Sequence, residues 1–144
     1  MNNSMETVKN IMIRKVINFD EISSFDIIAR ELGKYDIGCA IITRNKKPIG
    51  IITERDIVKR VVARNLNPKK KVAKEVMSSP VETINENTNI YYTSKVMRDK
   101  KFQRYPVVRN SKIIGIITQT GLIDYFTEQR KKFVLKHLSK RLRK

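Results

Sequence analysis

The sequence predicts an α/β (α+β) protein made of two β-α-β-β-α repeats that pack as a pseudo-two-fold pair. Three observations support this prediction. Residues 9–62 align without a gap with residues 74–127, and twelve of the aligned pairs are identical. Each copy contains a segment with helical periodicity followed by two short apolar runs. One copy of about 60 residues is too small to cover both faces of its own strands, so the two sheets are expected to pack together.

The first half of each copy should form a short strand and a helix. Val16 and Ile17 are assigned to the first strand, and Val81 to its counterpart. Asp20 or Ser23 is placed to cap the helix that follows. The apolar residues of that helix recur every three or four positions, the pattern of a core-facing stripe. They are Ile22, Phe25, Ile28, Ala29 and Leu32.

The second half of each copy should form a hairpin and another helix. The apolar runs "IGCAIIT" and "PIGIIT" flank "RNKK", which suits an exposed turn between antiparallel strands. After Thr53 an amphipathic helix is expected, with apolar positions at Ile57, Val58, Val61 and Val62. The predicted organisation is a first repeat over 6–66, a second over 71–128 and a basic C-terminal helical tail over 129–144.

Composition narrows the function classes. The chain has 144 residues, with 31 Lys and Arg against 14 Asp and Glu, and its formal charge of +17 favours an anionic partner. No apolar run approaches the roughly 20 residues of a membrane span. The start lacks a secretory signal and Cys39 is the single cysteine, so a cytoplasmic protein with Cys39 as a small buried hydrophobe is expected.

An enzyme is not expected. The chain has one His, one Cys, no Gly-rich phosphate loop and no carboxylate pair at a suitable spacing. Neither a nucleophile paired with a base nor a metal cluster can be assembled from these residues.

The hairpin endings carry a family resemblance. The first copy ends "PIGIITERDIV" and the second contains "FQRYPVVRNSKIIGIIT". A tandem β-α-β-β-α unit with Gly-Ile-Ile-Thr-x-x-Asp at the end of its hairpin resembles the cystathionine β-synthase (CBS) domain family, over about residues 8–127. The resemblance implies a stand-alone CBS pair with two pseudo-symmetric clefts that bind AMP, ADP, ATP or S-adenosylmethionine. It also implies a homodimer that regulates an unknown effector protein.

The two copies differ where the hairpin ends. Thr53 and Asp56 are placed as a capping box, in which each side chain bonds the other's backbone N–H. A carboxylate at this position can also accept hydrogen bonds from a ribose diol, and the family resemblance implies this second role. The second copy keeps Thr118 but has Gly121 at the position of Asp56. One good nucleotide site and one weak or absent site are therefore predicted.

By resemblance, each cleft draws on both copies. The predicted ligand-binding residues of the stronger cleft are Thr53, Arg55, Asp56, Gly38, Cys39, Thr83, Phe102 and Gln103. The weaker cleft is assigned Asn18, Ile37, Arg104, Thr118 and Thr120. Arg104 matches a position where the energy-sensing AMP-activated kinase subunits use a basic residue for phosphate, or it is simply an exposed arginine at a strand edge.

The basic tail leaves three alternatives open. Residues 128–144 contain eight Lys and Arg and one acid, and Leu135, Leu138 and Leu142 recur at helical spacing. The tail could pack its leucines on the module or across a dimer, bind a nucleic acid backbone, or bind an anionic membrane or acidic partner. The alternative to a nucleotide sensor is therefore a basic nucleic-acid-binding protein that uses the CBS pair as a dimeric scaffold.

Overall fold

A three-stranded sheet from each copy forms the frame of the fold. The computed structural model describes residues 6–35 and 37–143. The first copy contains β1 (Asn18–Asp20), α1 (Phe25–Tyr35), β2 (Cys39–Arg44), β3 (Lys47–Thr53) and α2 (Glu54–Asp56), which continues as a π-helix over Ile57–Val62. The second copy contains β4 (Ile84–Asn85), α4 (Ile90–Lys100), β5 (Arg104–Arg109), β6 (Lys112–Thr118) and α5 (Gln119–Leu142). The short helix α3 (Ala73–Val76) and 3-10 turns at Val8–Asn10 and Pro68–Lys70 lie before the repeats' first strands.

Both sheets have the same topology. Their strand orders are β1-β2-β3 and β4-β5-β6, and in each sheet the first pair is parallel and the second antiparallel. Both hairpins turn through two residues of positive φ, Asn45 with Lys46 and Asn110 with Ser111, as two-residue hairpin turns require. The predicted β-α-β-β-α order and the α+β class are confirmed.

The first strands lie later in the chain than predicted. Val16 and Ile17 precede β1, and Val81 precedes β4. β1 alternates exposed Asn18, half-buried Phe19 and exposed Asp20. This segment is a strand because it pairs in parallel with β2. It contains no apolar run, so its position could not be recognised from the sequence.

Two predicted apolar stripes are only partly correct. Ile22 is exposed because α1 begins at Phe25, and Asp20 Oδ1 accepts a hydrogen bond from Ile22 N at 3.0 Å in the turn before it. In the helix after β3, Val61 is buried but Val58 and Val62 are exposed. The matching residues of the second copy, Ile123 and Thr127, are also exposed, so this side of the helix faces away from the core in both copies.

The segment before each first strand packs on the sheet of the other copy. We call residues 8–13 and 73–78 the leading segments. Ile13 exchanges two backbone hydrogen bonds of 2.9 Å with Ile116, and Ser78 exchanges bonds of 2.9 and 3.0 Å with Ile51. Val8 joins the core of the second copy and Val76 joins the core of the first. Each hydrophobic core is therefore completed by the other repeat.

A methionine and a glycine at each crossing explain two of the twelve identical pairs. Met77 Sδ lies over Gly50, and Met12 Sδ lies 2.6 Å from the position that a Cβ on Gly115 would occupy. Met12 is buried in the second core and Met77 packs against the first. The glycines leave room for the leading segments, and both methionines pack against the cores.

A second set of repeated identities forms equivalent ion pairs. Arg44 Nη2 lies 2.8 Å from Glu21 Oε2, and Arg109 Nη2 lies 2.7 Å from Glu86 Oε2. Hydrogen bonds from these arginines hold the pKa of Glu21 and of Glu86 below the usual value. In each copy the pair ties the segment after the first strand to the end of the second strand.

The predicted basic tail is not separated from the second repeat. Helix α5 runs from Gln119 to Leu142 without a break, so its first part packs on the module and its second part is the helical tail. Lys144 lies outside the described residues. Over the residues that the structure describes, no helix combines the length and apolar character needed to cross a bilayer.

Candidate functional site

A cavity of about 560 Å³ opens between the two copies. The start of the helix after β3 forms one wall, and the segment before β4 together with the start of β5 forms the other. The volume lies within the range of small-molecule sites. The lining residues are Ile51, Thr53, Glu54, Arg55, Asp56, Lys59, Arg60, Ser78, Pro80, Glu82, Lys101, Phe102, Gln103, Arg104, Tyr105 and Pro106.

Thr53 and Asp56 form a capping box at one side of the cavity. Thr53 Oγ1 accepts a hydrogen bond from Asp56 N at 3.3 Å. Asp56 Oδ2 accepts from Thr53 N at 2.9 Å and from Thr53 Oγ1 at 3.0 Å. The structure thus contains the capping box predicted for Thr-x-x-Asp. The hydrogen bonds of this box fix the Asp56 carboxylate at the cavity wall.

The other oxygen of Asp56 contacts two residues that the sequence analysis missed. Ser78 Oγ donates to Asp56 Oδ1 at 2.7 Å, and Arg60 Nε lies 3.7 Å from the same oxygen. Arg60 Nη1 also donates to the carbonyl of Val76 at 3.3 Å and to that of Met77. Asp56 is only 7 % exposed, so this network links a nearly buried carboxylate to the leading segment of the other copy.

The copies differ at all three positions of this network. At the matching positions of the other copy stand Ile13 for Ser78, Tyr125 for Arg60 and Gly121 for Asp56. Most other aligned positions differ as well, so the alignment does not single out Ser78 and Arg60. The four-residue spacing of Asp56 and Arg60 on one helix is the signal that could have indicated their ion pair.

The second copy has the cap without the carboxylate. Gly121 N donates to Thr118 Oγ1 at 3.0 Å, so Thr118 alone caps α5. A smaller cavity of about 320 Å³ lies nearby, lined by Met97, Arg98, Lys101, Phe102, Gln103 and Gln119. Neither of these two cavities is lined by Asn18, Ile37, Thr118 or Thr120. The structure therefore does not bring the residues assigned to the weaker cleft together in either cavity.

Arg104 lies in the larger cavity, whereas the sequence analysis assigned it to the weaker cleft. Its guanidinium group packs directly on Gly38, which has no Cβ to exclude it. Arg104 and Cys39 occupy matching positions of the two repeats, so this contact lies where the copies meet.

Five of the eight residues assigned to the stronger cleft line the larger cavity. They are Thr53, Arg55, Asp56, Phe102 and Gln103. Gly38 lies beneath Arg104, and Cys39 is buried in β2, where four consecutive residues are inaccessible. Thr83 is half-buried and lies next to Glu82, which does line the cavity. Gly38, Cys39 and Thr83 are therefore outside the cavity wall.

The lining is cationic and partly aromatic. Five Lys and Arg face three acids, so positive charge is in excess. The Phe102 ring lies 5.5 Å from that of Tyr105, at the side of the cavity formed by β5. A carboxylate acceptor, surrounding cations and an aromatic surface can together accommodate a polar anionic molecule that carries a ring.

Cys39 is expected to be unreactive in the folded protein. Burial raises the pKa of its thiol to about 11, although the charge of Arg104 lowers it in part. At pH 8 the thiolate fraction is therefore very small and the sulfur is inaccessible. Labelling with iodoacetamide, followed by mass spectrometry, should require unfolding with urea. Labelling of the native protein at the rate of the unfolded chain would contradict this burial.

A family model described as the CBS domain matches residues 8–63 and 73–128. The chain belongs to the CBS domain family. An uncharacterised protein of Methanopyrus kandleri is 37 % identical over 120 residues, which cover 82 % of this chain and 61 % of that protein. The chain thus spans less than two thirds of that relative.

Solved CBS-domain structures share the fold. An uncharacterised conserved protein from Pyrococcus horikoshii superposes with a TM-score of 0.78 at 21 % identity, covering 85 % of this chain and 93 % of that one. A hexameric CBS-CP12 protein from bloom-forming cyanobacteria superposes with a TM-score of 0.78 at 22 % identity, covering 83 % of this chain and 67 % of that one. CBS pairs are commonly regulatory modules, and the predicted tandem CBS architecture is confirmed.

Proposed function

We propose that this CBS pair is a cytoplasmic sensor that binds an adenosyl ligand, AMP, ADP, ATP or S-adenosylmethionine, and regulates an effector protein without catalysing a reaction itself. The observation that carries the proposal is the placement of the Asp56 carboxylate at the wall of a cavity with five cationic residues. A carboxylate suits a ribose diol, and Lys and Arg suit phosphate. Phe102 provides an apolar surface for a base.

The Asp56 network supplies a route from ligand binding to regulation. A carboxylate has about four lone-pair sites, and two donors from Thr53 and one from Ser78 already occupy three of them. A ribose diol needs two acceptor sites, so it competes with the Ser78 hydroxyl for Asp56 Oδ1. Ser78 belongs to the leading segment that bonds to Ile51. Ligand binding therefore weakens the Ser78–Asp56 contact between the two copies. The bound and free states then differ in the packing of the leading segment, and a partner can distinguish them.

Calorimetric titration with the four adenosyl ligands tests the proposal. We expect one site per chain in the natural protein and at least about tenfold weaker binding in Asp56→Asn, because the amide offers one acceptor oxygen instead of two. Asp124→Asn is the matched control, since it removes the same charge from an exposed residue outside the cavity. Absence of heat with all four ligands would reject the proposal. Binding that Asp56→Asn leaves unchanged would also reject it.

Ser78→Ala is expected to tighten the binding of AMP by several-fold. Removal of the hydroxyl frees Asp56 Oδ1 for the diol, and the alanine still fits because the side chain only becomes smaller. The same titration with 2′-deoxy-AMP should show a smaller gain, since that ligand presents one hydroxyl fewer. Ser79→Ala, which alters the exposed neighbour outside the cavity, is the control. Weaker AMP binding in Ser78→Ala would mean that Ser78 contacts the ligand instead of competing with it.

We propose that the protein forms a homodimer through the helices that follow the two hairpins. Val58 and Ile123 occupy matching positions of these helices and are 58 % and 59 % exposed. Val62 extends the same apolar surface. Light scattering should give twice the chain mass, and the double variant Val58→Lys, Ile123→Lys should give a monomer. Ile27→Lys, at an exposed position of α1, should remain a dimer. An unchanged mass in the double variant would exclude this surface.

The alternative of a nucleic-acid-binding protein built on a CBS scaffold rests on the charge of the tail. It would predict salt-sensitive binding to DNA or RNA that survives Asp56→Asn. The cavity and its carboxylate are the reasons for preferring the sensor.

A further inference from the structure

Helix α5 presents its apolar residues on different sides in its two parts. In the first part, Leu122, Tyr125 and Phe126 pack on the core of the second copy. In the second part, the apolar residues are exposed. At 3.6 residues per turn, the mean direction of four of them is about 180° from the side that faces the module, whereas exposed Phe133 lies on the module side and its ring contacts that of His137. The four are Val134, Leu135, Leu138 and Leu142. This apolar stripe therefore cannot pack on the module to which the helix belongs.

The same part of the helix carries unpaired positive charge. Residues 129–143 contain seven Lys and Arg and no Asp or Glu. Every ion pair of the described residues lies before residue 110. Helical geometry places Arg130 and Arg141 along one border of the apolar stripe, and Lys132 and Arg143 along the other. The stripe is thus flanked by cations on both sides.

We propose that the basic tail, residues 129–143, binds the surface of an anionic lipid bilayer. An interfacial helix buries its apolar face among the acyl chains and places bordering cations at the headgroups. A nucleic acid would neutralise the cations but leave the four aliphatic side chains in water. A second copy would cover these side chains but bring two sets of seven cations together. The bilayer satisfies both features. Lys131 lies on the same side of the helix as the apolar stripe, at its N-terminal end. Its long aliphatic stem allows the ammonium group to reach the headgroups.

Co-sedimentation of the full chain with vesicles tests this inference without nucleotide. We expect binding to phosphatidylcholine mixed with phosphatidylserine that is at least about tenfold tighter than binding to phosphatidylcholine alone. Leu135→Ser with Leu138→Ser should weaken it at least about tenfold, as should Arg130→Gln with Arg141→Gln. All four positions are exposed, so the fold should be retained. Ile27→Ser, an exposed aliphatic residue of α1, is the matched control and should bind as the natural protein does.

Three results would overturn the inference. The first is no binding to the anionic vesicles. The second is vesicle binding that depends on the arginines but not on the leucines, which would be general attraction of charge. The third is binding to a DNA duplex that is tighter than vesicle binding and unchanged by Leu135→Ser with Leu138→Ser, which would assign the tail to nucleic acid. Light scattering on the same leucine variant identifies a second copy as the occupant if the mass halves and vesicle binding is absent.

Discussion

Replacing Gly115 with alanine is expected to lower the free energy of unfolding by about 2–4 kcal/mol. A Cβ at this position would lie 2.6 Å from Met12 Sδ and 2.9 Å from the carbonyl oxygen of Ile13. The Met12 side chain can move, but the backbone N–H and the carbonyl of Ile13 are both hydrogen-bonded to Ile116. The leading segment would have to shift away from β6, which strains both hydrogen bonds. Urea unfolding followed by circular dichroism measures the change.

Gly33→Ala is the matched control for this substitution. Gly33 lies in α1, and a Cβ there would meet nothing within 4 Å. The alanine should stabilise the protein by about 0.5–1 kcal/mol, because glycine is a poor helix former. A loss below about 1 kcal/mol in Gly115→Ala would show that the leading segment can shift at little cost.

Replacing Asp56 with alanine is expected to lower the free energy of unfolding by about 2–4 kcal/mol even without ligand. The capping box contributes about 1 kcal/mol, and the partly buried Ser78 and Arg60 lose their acceptor. Asp56→Asn should lose less, since the amide oxygen can still accept from Thr53 N. Denaturant unfolding of both variants in the absence of nucleotide separates this structural role from ligand binding.

Gly121→Ala is the control at the matching position of the second copy. Thr118 caps α5 there without a carboxylate partner, and a Cβ would lie 3.1 Å from Thr118 Oγ1. This substitution should change the stability by less than about 1 kcal/mol, because helix propensity favours alanine and the close contact opposes it. If Asp56→Ala were equally mild, the carboxylate network would contribute little to the fold.

The architecture could be predicted because its signals are local and occur twice. The hairpin ending "GIIT" recurs in both copies, and the apolar spacing of Phe25, Ile28 and Leu32 defines a buried helix face. The first strands could not be located, since Asn18–Asp20 is a strand only through its pairing with β2. The π-helix was missed for a similar reason, because no side-chain pattern distinguishes it from an α-helix.

The candidate site was only half predictable. Thr53 and Asp56 lie three residues apart in one motif, so their association could be inferred from the sequence. Arg60 follows Asp56 by four residues, so its ion pair could also be inferred from helical spacing. Ser78 joins them only through the fold, since a segment of the second copy crosses to the first sheet. Arg104 likewise approaches Gly38 across the contact between the repeats. Positions that depend on how the copies pack are not encoded in local spacing.

The exchanged leading segments make the two repeats thermodynamically inseparable. Val8 and Met12 complete one core, and Ala73 and Val76 complete the other. A single repeat would therefore expose part of its core unless a second molecule supplied the missing segment. Such a repeat would be stable only as a dimer in which each subunit supplies its leading segment to the other. The tandem chain corresponds to that dimer with its two subunits covalently joined. The present protein should accordingly unfold in one cooperative step, although its sequence contains two copies.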